Sequence, residues 1–178
     1  MLITTSRRPG RLSKVFCRNL SRVVPGSFYL PRGLKTIEEV ATAARGLQQS
    51  KVIFVESFLG GPRVLRFLEV NNGWRWANVI FEIRDVSVRW DSGKKSKLKT
   101  LKIRADGKTT LEFAEWFGKI LGVEISEKSL DFGGVVVVTS EGGLRVQFKI
   151  MPGSVPIGPS FLVVAFGDLA AGVANGEG

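Results

Sequence analysis

Residues 36–70 read TIEEVATAARGLQQSKVIFVESFLGGPRVLRFLEV, and this stretch decides the fold class. Thr36 followed by Glu39 is a capping box, and Ile37, Val40, Ala41, Ala44 and Leu47 recur at helical spacing. Together they predict a helix that starts at Thr36 and packs one face on a sheet. Val52 to Glu56 is an apolar run of strand length, Gly60-Gly61-Pro62 supplies a turn, and Val64 to Val70 returns. A helix followed by a hairpin with a buried first strand is the signature of a layered α/β protein.

Residues 109–150 follow the same plan. Thr109 and Glu112 form a second predicted capping box, ahead of a helix carrying Phe113, Phe117 and Ile120 and closed by Gly122. Val135 to Val138 reads as a strand, Gly142-Gly143 as the turn, and Leu144 to Ile150 as the return. The turn sequences Gly60-Gly61-Pro62-Arg63-Val64 and Gly142-Gly143-Leu144-Arg145-Val146 compare directly. The shared order predicts an internal duplication within one domain over residues 1–168, with halves at about 1–83 and 84–168. The tail 169–178, with Ala170, Gly172, Asn175, Gly176 and Gly178, has nothing to pack and is expected to be disordered.

Upstream, Pro9 to Val23 reads as a helix in which Leu12, Phe16, Leu20 and Val23 share one face. Arg11, Lys14, Arg18 and Arg22 share the opposite one. A solvated helix face is the ordinary explanation of such a stripe, but such faces mix acids with bases and this one carries no acid. The single sign points to a polyanion.

The charge of the whole chain agrees. Its 178 residues carry a formal +10, unevenly placed. Residues 1–35 hold eight cations and no acid, and residues 84–108 hold nine cations against three acids. These two segments account for +14, so the remainder is −4 and the positive field lies in two patches. Such patches gain by releasing the counterions of a nucleic acid.

Several function classes drop out. With no histidine, a Ser-His-Asp triad, a Cys-His dyad and a histidine metal site are impossible. The lone Cys17 excludes an intrachain disulfide and a zinc ribbon, fits a reducing compartment, and reads as a small packing residue. Pairs such as Glu38 with Glu39 or Glu112 with Glu115 suit exposed helix turns better than a metal-dependent nuclease site. Gly60-Gly61-Pro62 lacks the lysine and hydroxyl of a phosphate-binding loop. Neither a catalytic residue nor a metal, cofactor or small-molecule substrate is expected. Arg7, Arg8 and Arg11 follow Met1 to Thr5 with no signal-peptide core between, so secretion is not expected. The uncharged run Ile150 to Gly167 contains Pro152, Pro156 and Pro159, which break a spanning helix, and it is read as loop plus strand.

The opening Thr4-Thr5-Ser6-Arg7-Arg8-Pro9, followed by Arg11, Phe16 and Leu20, then Val24-Pro25 and Arg32-Gly33, resembles the signature of Brix-domain proteins. That signature runs threonine, serine, arginine, any residue, proline, serine. Gly10 stands here where the family has the second serine, which removes a hydroxyl that could cap the helix. Glu56 with Gly60-Gly61-Pro62 is similar to the family's Glu-x-x-x-Gly-x-Pro stretch. Gly158-Pro159-Ser160-Phe161 resembles its Gly-Pro-Arg-Phe, with Ser160 in place of the arginine. The resemblance is to the short, single-domain archaeal-type form. It implies two α/β halves, each resembling the anticodon-binding domain of class II tRNA synthetases. It also implies a non-catalytic role in pre-rRNA processing and ribosomal subunit assembly.

The expected RNA-binding residues are Arg7, Arg8, Arg11, Lys14, Arg18, Arg22 and Arg32, assisted by Lys94, Lys95, Lys97 and Lys99. The expected partners are ribosomal RNA or pre-rRNA, together with other ribosome assembly proteins, in the cytoplasm and without a membrane. The competing readings are a structural ribosomal protein and a basic adaptor for an acidic protein. Trp74, Trp76 and Trp90 lie near the basic segment and could stack on bases, although Trp74 and Trp76, on one face of a strand, are more simply core cover.

Overall fold

Four buried residues that the sequence reading left unassigned start the sheet. Leu2–Thr5 forms β1, and Leu2 and Ile3 are wholly buried, one toward each layer of helices. In the computed structural model, which describes residues 1–89, 98–126, 133–140 and 142–168, β1 is followed by α1 (Arg11–Val23), β2 (Phe28–Tyr29) and α2 (Ile37–Gly46). Then come β3 (Lys51–Phe58), β4 (Gly61–Glu69), β5 (Arg75–Ser87), β6 (Leu101–Ala105) and α3 (Lys108–Leu121). The last strands are β7 (Gly133–Thr139), β8 (Leu144–Met151) and β9 (Val155–Asp168).

All the strands join one sheet in the order β2-β1-β3-β4-β5-β9-β8-β7-β6. Taken inward from β1, the pairings are parallel with β3, then antiparallel to β4 and β5. Taken inward from β6, they are parallel with β7, then antiparallel to β8 and β9. β5 and β9 meet antiparallel in the middle. Parallel neighbours need a crossover, and the helices supply it: α1 and α2 between β1 and β3, α3 between β6 and β7.

Alternation along each strand sends side chains to two faces. On one face α1 and α3 cover a continuous core in which Phe81 lies 5.1 Å from Phe67 and from Phe113 and 5.9 Å from Phe117. α1 straddles the join between halves: Phe16 meets Phe161 of β9 edge-on at 5.7 Å, while Cys17, wholly buried, points its thiol at the Thr4 carbonyl. Burial pushes the Cys17 thiol pKa far above its ordinary value, which makes it inert. Gly158 belongs to this crossing, because a Cβ there would sit 2.8 Å from Phe148 Cβ and 2.9 Å from Val23 Cγ1. On the other face α2 lays Val40, Ala41 and Ala44 on Leu2, Val52, Phe54 and Leu68, and so covers only the first half.

The predicted start of α2 is present: Thr36 Oγ1 accepts from the Glu39 amide at 3.2 Å, and Glu39 Oε2 accepts from the Thr36 amide at 2.7 Å. These bonds hold the Glu39 carboxyl below the usual carboxylate range. The second capping box is absent. α3 begins at Lys108 with Gly107 as its cap, and no side chain closes it, so Thr109 lies inside the first turn. Its far end is as expected, with Gly122 left-handed at φ +68. The first hairpin is tighter than predicted: the turn lies at Leu59 and Gly60, while Gly61 and Pro62 already pair with β3. Trp74 and Trp76 do not share a strand face. β5 begins at Arg75, Trp76 packs beside Phe54 at 5.1 Å, and Trp74 is 40% exposed with its indole N–H donated to Glu38. The run from Ile150 is the end of β8, a turn, and β9. Among the described residues no helix is long and apolar enough to cross a membrane. The tail 169–178 lies outside the described residues.

Candidate nucleic-acid interface

α1 is held so that its outer face is fixed. Phe16, Leu20 and Val23 are buried, Leu12 half-buried, and Ser13 is bonded through its hydroxyl to Ser57 Oγ at 2.8 Å. Arg11, Lys14 and Arg18 are exposed on the other side, and Arg22 is half-buried. Arg18 also rests over the Tyr29 ring, 5.8 Å from its centroid. Arg22 lies in the last turn of the helix, where its charge complements the negative C-terminal end of the dipole.

The second basic segment meets this helix at both of its described ends. The Arg89 amide donates to Asn19 Oδ1 at 2.7 Å, and the Leu98 amide donates to the Arg22 carbonyl at 3.2 Å. Arg11, Lys14, Arg18, Arg22 and Arg89, with Val15 and Asn19, line one hollow of about 390 Å³. Arg89 was not singled out from sequence. Its charge was counted within residues 84–108, but the only signal that would have paired it with α1 is Asn19, a polar residue on the buried side of the helix. Lys99 is exposed just after Leu98. Lys94, Lys95 and Lys97, with Trp90, lie outside the described residues.

The predicted ridge is not continuous. Arg7 and Arg32 sit on the α2 side of the sheet, around a separate hollow shared with Thr36, Ile37, Glu38 and Trp74. Arg32 is partly committed to the fold: its guanidinium lies 5.0 Å over the Phe54 ring and its Nε donates to the Lys35 carbonyl at 3.1 Å. Partial burial and then the neighbouring Arg7 lower its pKa, against the opposing pull of Glu56. Arg8 is exposed at a left-handed φ of +53, immediately before Pro9. The geometry therefore gathers Arg11, Lys14, Arg18, Arg22 and Arg89, and it sets Arg7 and Arg32 apart from them.

Gly10 explains the departure from the family signature. A Cβ on it would lie 2.1 Å from the Gly60 carbonyl oxygen, so the serine found at this place in the family has no room beside this turn. Glu56, from the second matching stretch, pairs with Arg66 at 3.3 Å.

No family model matches the chain. It is 35% identical over 82 residues to a probable Brix domain-containing ribosomal biogenesis protein of Pyrococcus horikoshii, a match spanning 46% of this chain but only 37% of that relative. A protein of the same description from Aeropyrum pernix is 28% identical over 165 residues, which covers 88% of this chain and 91% of the relative. The crystal structure of a probable ribosomal biogenesis protein from Aeropyrum pernix K1 superposes with a TM-score of 0.77 at 27% identity, over 91% of this chain and 93% of that one. The fold is also that of Mil, an archaeal Imp4-like protein, with a TM-score of 0.68 at 24% identity over 94% and 99% of the two chains. Similar in sequence over 88% of its length and in fold over 91%, the chain is a relative of the archaeal Brix domain-containing ribosomal biogenesis proteins.

Proposed function

We propose that this protein is a non-catalytic, RNA-binding factor of ribosome biogenesis, active in pre-rRNA processing and subunit assembly in the cytoplasm. Its principal partner is ribosomal RNA or a precursor of it, with other assembly proteins beside it. The observation that carries this reading is the convergence of the two positive segments: Arg89 and Leu98 are bonded to the helix that bears Arg11, Lys14, Arg18 and Arg22. Cations carried on a rigid helix suit phosphate recognition, because their spacing is set and no backbone order remains to be lost on binding. The names of the relatives support the biogenesis role. Binding through about six phosphates gives a slope of log K against log salt of about −4 to −5, measurable by titrating a pre-rRNA fragment at several salt concentrations. A flat response would remove the electrostatic basis of the proposal.

We further infer that the domain over 1–168 is an internal duplication of halves at about 1–83 and 84–168, each resembling the anticodon-binding domain of class II tRNA synthetases. The matching order of pairings from the two edges supports it, as do hairpin turns at Gly60 and at Gly142-Gly143. Superposing β1, β3, β4 and β5 on β6, β7, β8 and β9 is expected to overlay the two turns. A best fit that required a different strand pairing would contradict the duplication.

A further inference from the structure

Among the described residues the helices leave one sheet surface without a helical layer. α2 lies on the first half, but among the described residues no helix lies on the same face of β6, β7, β8 and β9. Alternation identifies what that face presents. Ile103, Val136, Phe148 and Phe161 point into the core under α1 and α3, so Lys102 and Arg104, Val135 and Val137, Gln147 and Lys149, and Ser160 point the other way. The register aligns them in rows: Lys102, Val135 and Lys149 in one, Arg104, Val137, Gln147 and Ser160 in the next. Neighbouring strands are about 4.8 Å apart, and same-face residues of one strand lie about 7 Å apart.

The charge on this surface is graded. Toward β5 the cations are compensated: Arg63 and Arg84 lie 2.6 and 3.7 Å from Glu82, and Arg145 lies 3.9 Å from Asp85. Toward the β6 edge Lys102, Arg104 and Lys149 have no ion-pair partner among the described residues. Two exposed acids border this end: Glu124, which the Ile103–Ile125 bridge places beside Lys102, and Asp106, two residues beyond Arg104. Neither is within ion-pair distance of the three cations, which outnumber them. The centre of a protein interface is depleted in charge and rich in large apolar groups. Here the central apolar residues are valines only 4% and 6% exposed, Val135 between Lys102 and Lys149 and Val137 between Arg104 and Gln147. The surface suits a flexible chain of phosphates better than an apolar partner.

We propose that the helix-free face over β6, β7 and β8 is a second RNA-binding surface, on which Lys102, Arg104 and Lys149 track the phosphodiester backbone of a single-stranded RNA segment. It rests on the reading that the protein binds RNA, and it adds a site on the face opposite α1. With no aromatic side chain in the two rows, contact is with the backbone and is indifferent to base sequence.

The test uses the full chain and a mixed-sequence single-stranded RNA oligonucleotide. Replacing Lys102, Arg104 and Lys149 together by Glu is expected to lower affinity about tenfold, and loss of three single-strand contacts makes the salt slope shallower by about 2. The unfolding midpoint should stay near that of the parent. The milder K102Q/R104Q/K149Q variant is expected to move affinity and slope in the same direction by a smaller amount, and it serves if the Glu variant does not fold. Unchanged affinity and slope in a folded variant overturn the inference. If the parent binds RNA and only α1 variants lose it, this surface is wrong and the α1 reading stands. A parent that binds no RNA overturns both. A face variant that loses polyglutamate binding more than RNA binding assigns the surface to an acidic protein and overturns the proposal.

Discussion

Replacing Arg11, Arg18 and Arg22 together by Glu is expected to weaken binding to a pre-rRNA fragment about 100-fold, whereas the same change at Lys94, Lys95 and Lys97 costs about tenfold. The difference follows from order. The arginines stand on a helix pinned by Phe16, Leu20 and Val23 beneath, by Ser13 to Ser57, and by Asn19 to Arg89. Their relative positions are set before RNA arrives. Ordering a segment on binding costs free energy, and Lys94, Lys95 and Lys97, which follow Gly93 in the sequence and are read from it as a loop, are therefore expected to contribute mostly nonspecific attraction. Arg22 is half-buried, so circular dichroism and an unfolding midpoint must show both variants folded. Equal losses, or a larger loss from the lysine variant, would place the principal surface on the wrong segment.

Restoring the family serine in G10S is expected to destabilise the protein by about 1–3 kcal/mol, the cost of overpacking a tight contact. A Ser side chain does offer an N-cap, but over Gly that is worth only a few tenths of a kcal/mol. The opposing term is larger, because the new Cβ would meet backbone, 2.1 Å from the Gly60 oxygen and 2.7 Å from its carbonyl carbon. The turn cannot easily withdraw. Beside it the Ser6 amide donates to the Val55 carbonyl at 2.9 Å, and the Ser57 amide donates to Ser6 Oγ at 3.3 Å. Urea unfolding measures the outcome, and a midpoint equal to or above that of the parent would show that the turn yields freely.

These two expectations show where sequence reading succeeded and where it stopped. Local chemistry was legible: Thr36 and Glu39 close α2 as a capping box, Gly122 ends α3, and the apolar stripe of α1 is its buried face. β1 and β6 were not read, because four or five residues give too little alternation to separate strand from loop, and β1 is buried on both faces and shows none. Thr109 misled because a capping box needs its first residue outside the helix, and Gly107 holds that place. The candidate site was partly legible. Charge counting found both positive segments, but only the sheet brings Arg89 to Asn19 and carries Arg7 and Arg32 to the α2 side. The face of β6 to β8 that carries no helix among the described residues depends wholly on strand order, and no linear pattern reports it.

The central claim, that the protein binds ribosomal RNA on precursor particles through α1, is tested most directly by crosslinking protein to RNA in cells, sequencing the bound RNA, and mapping the crosslinked peptides. The account predicts pre-rRNA reads from particles that precede the mature subunits, with crosslinks concentrated on the peptide that carries Arg11 to Arg22. Recovery only from finished subunits would mark a structural ribosomal protein, and crosslinks to acidic proteins without RNA would mark an adaptor. Either result would contradict the account.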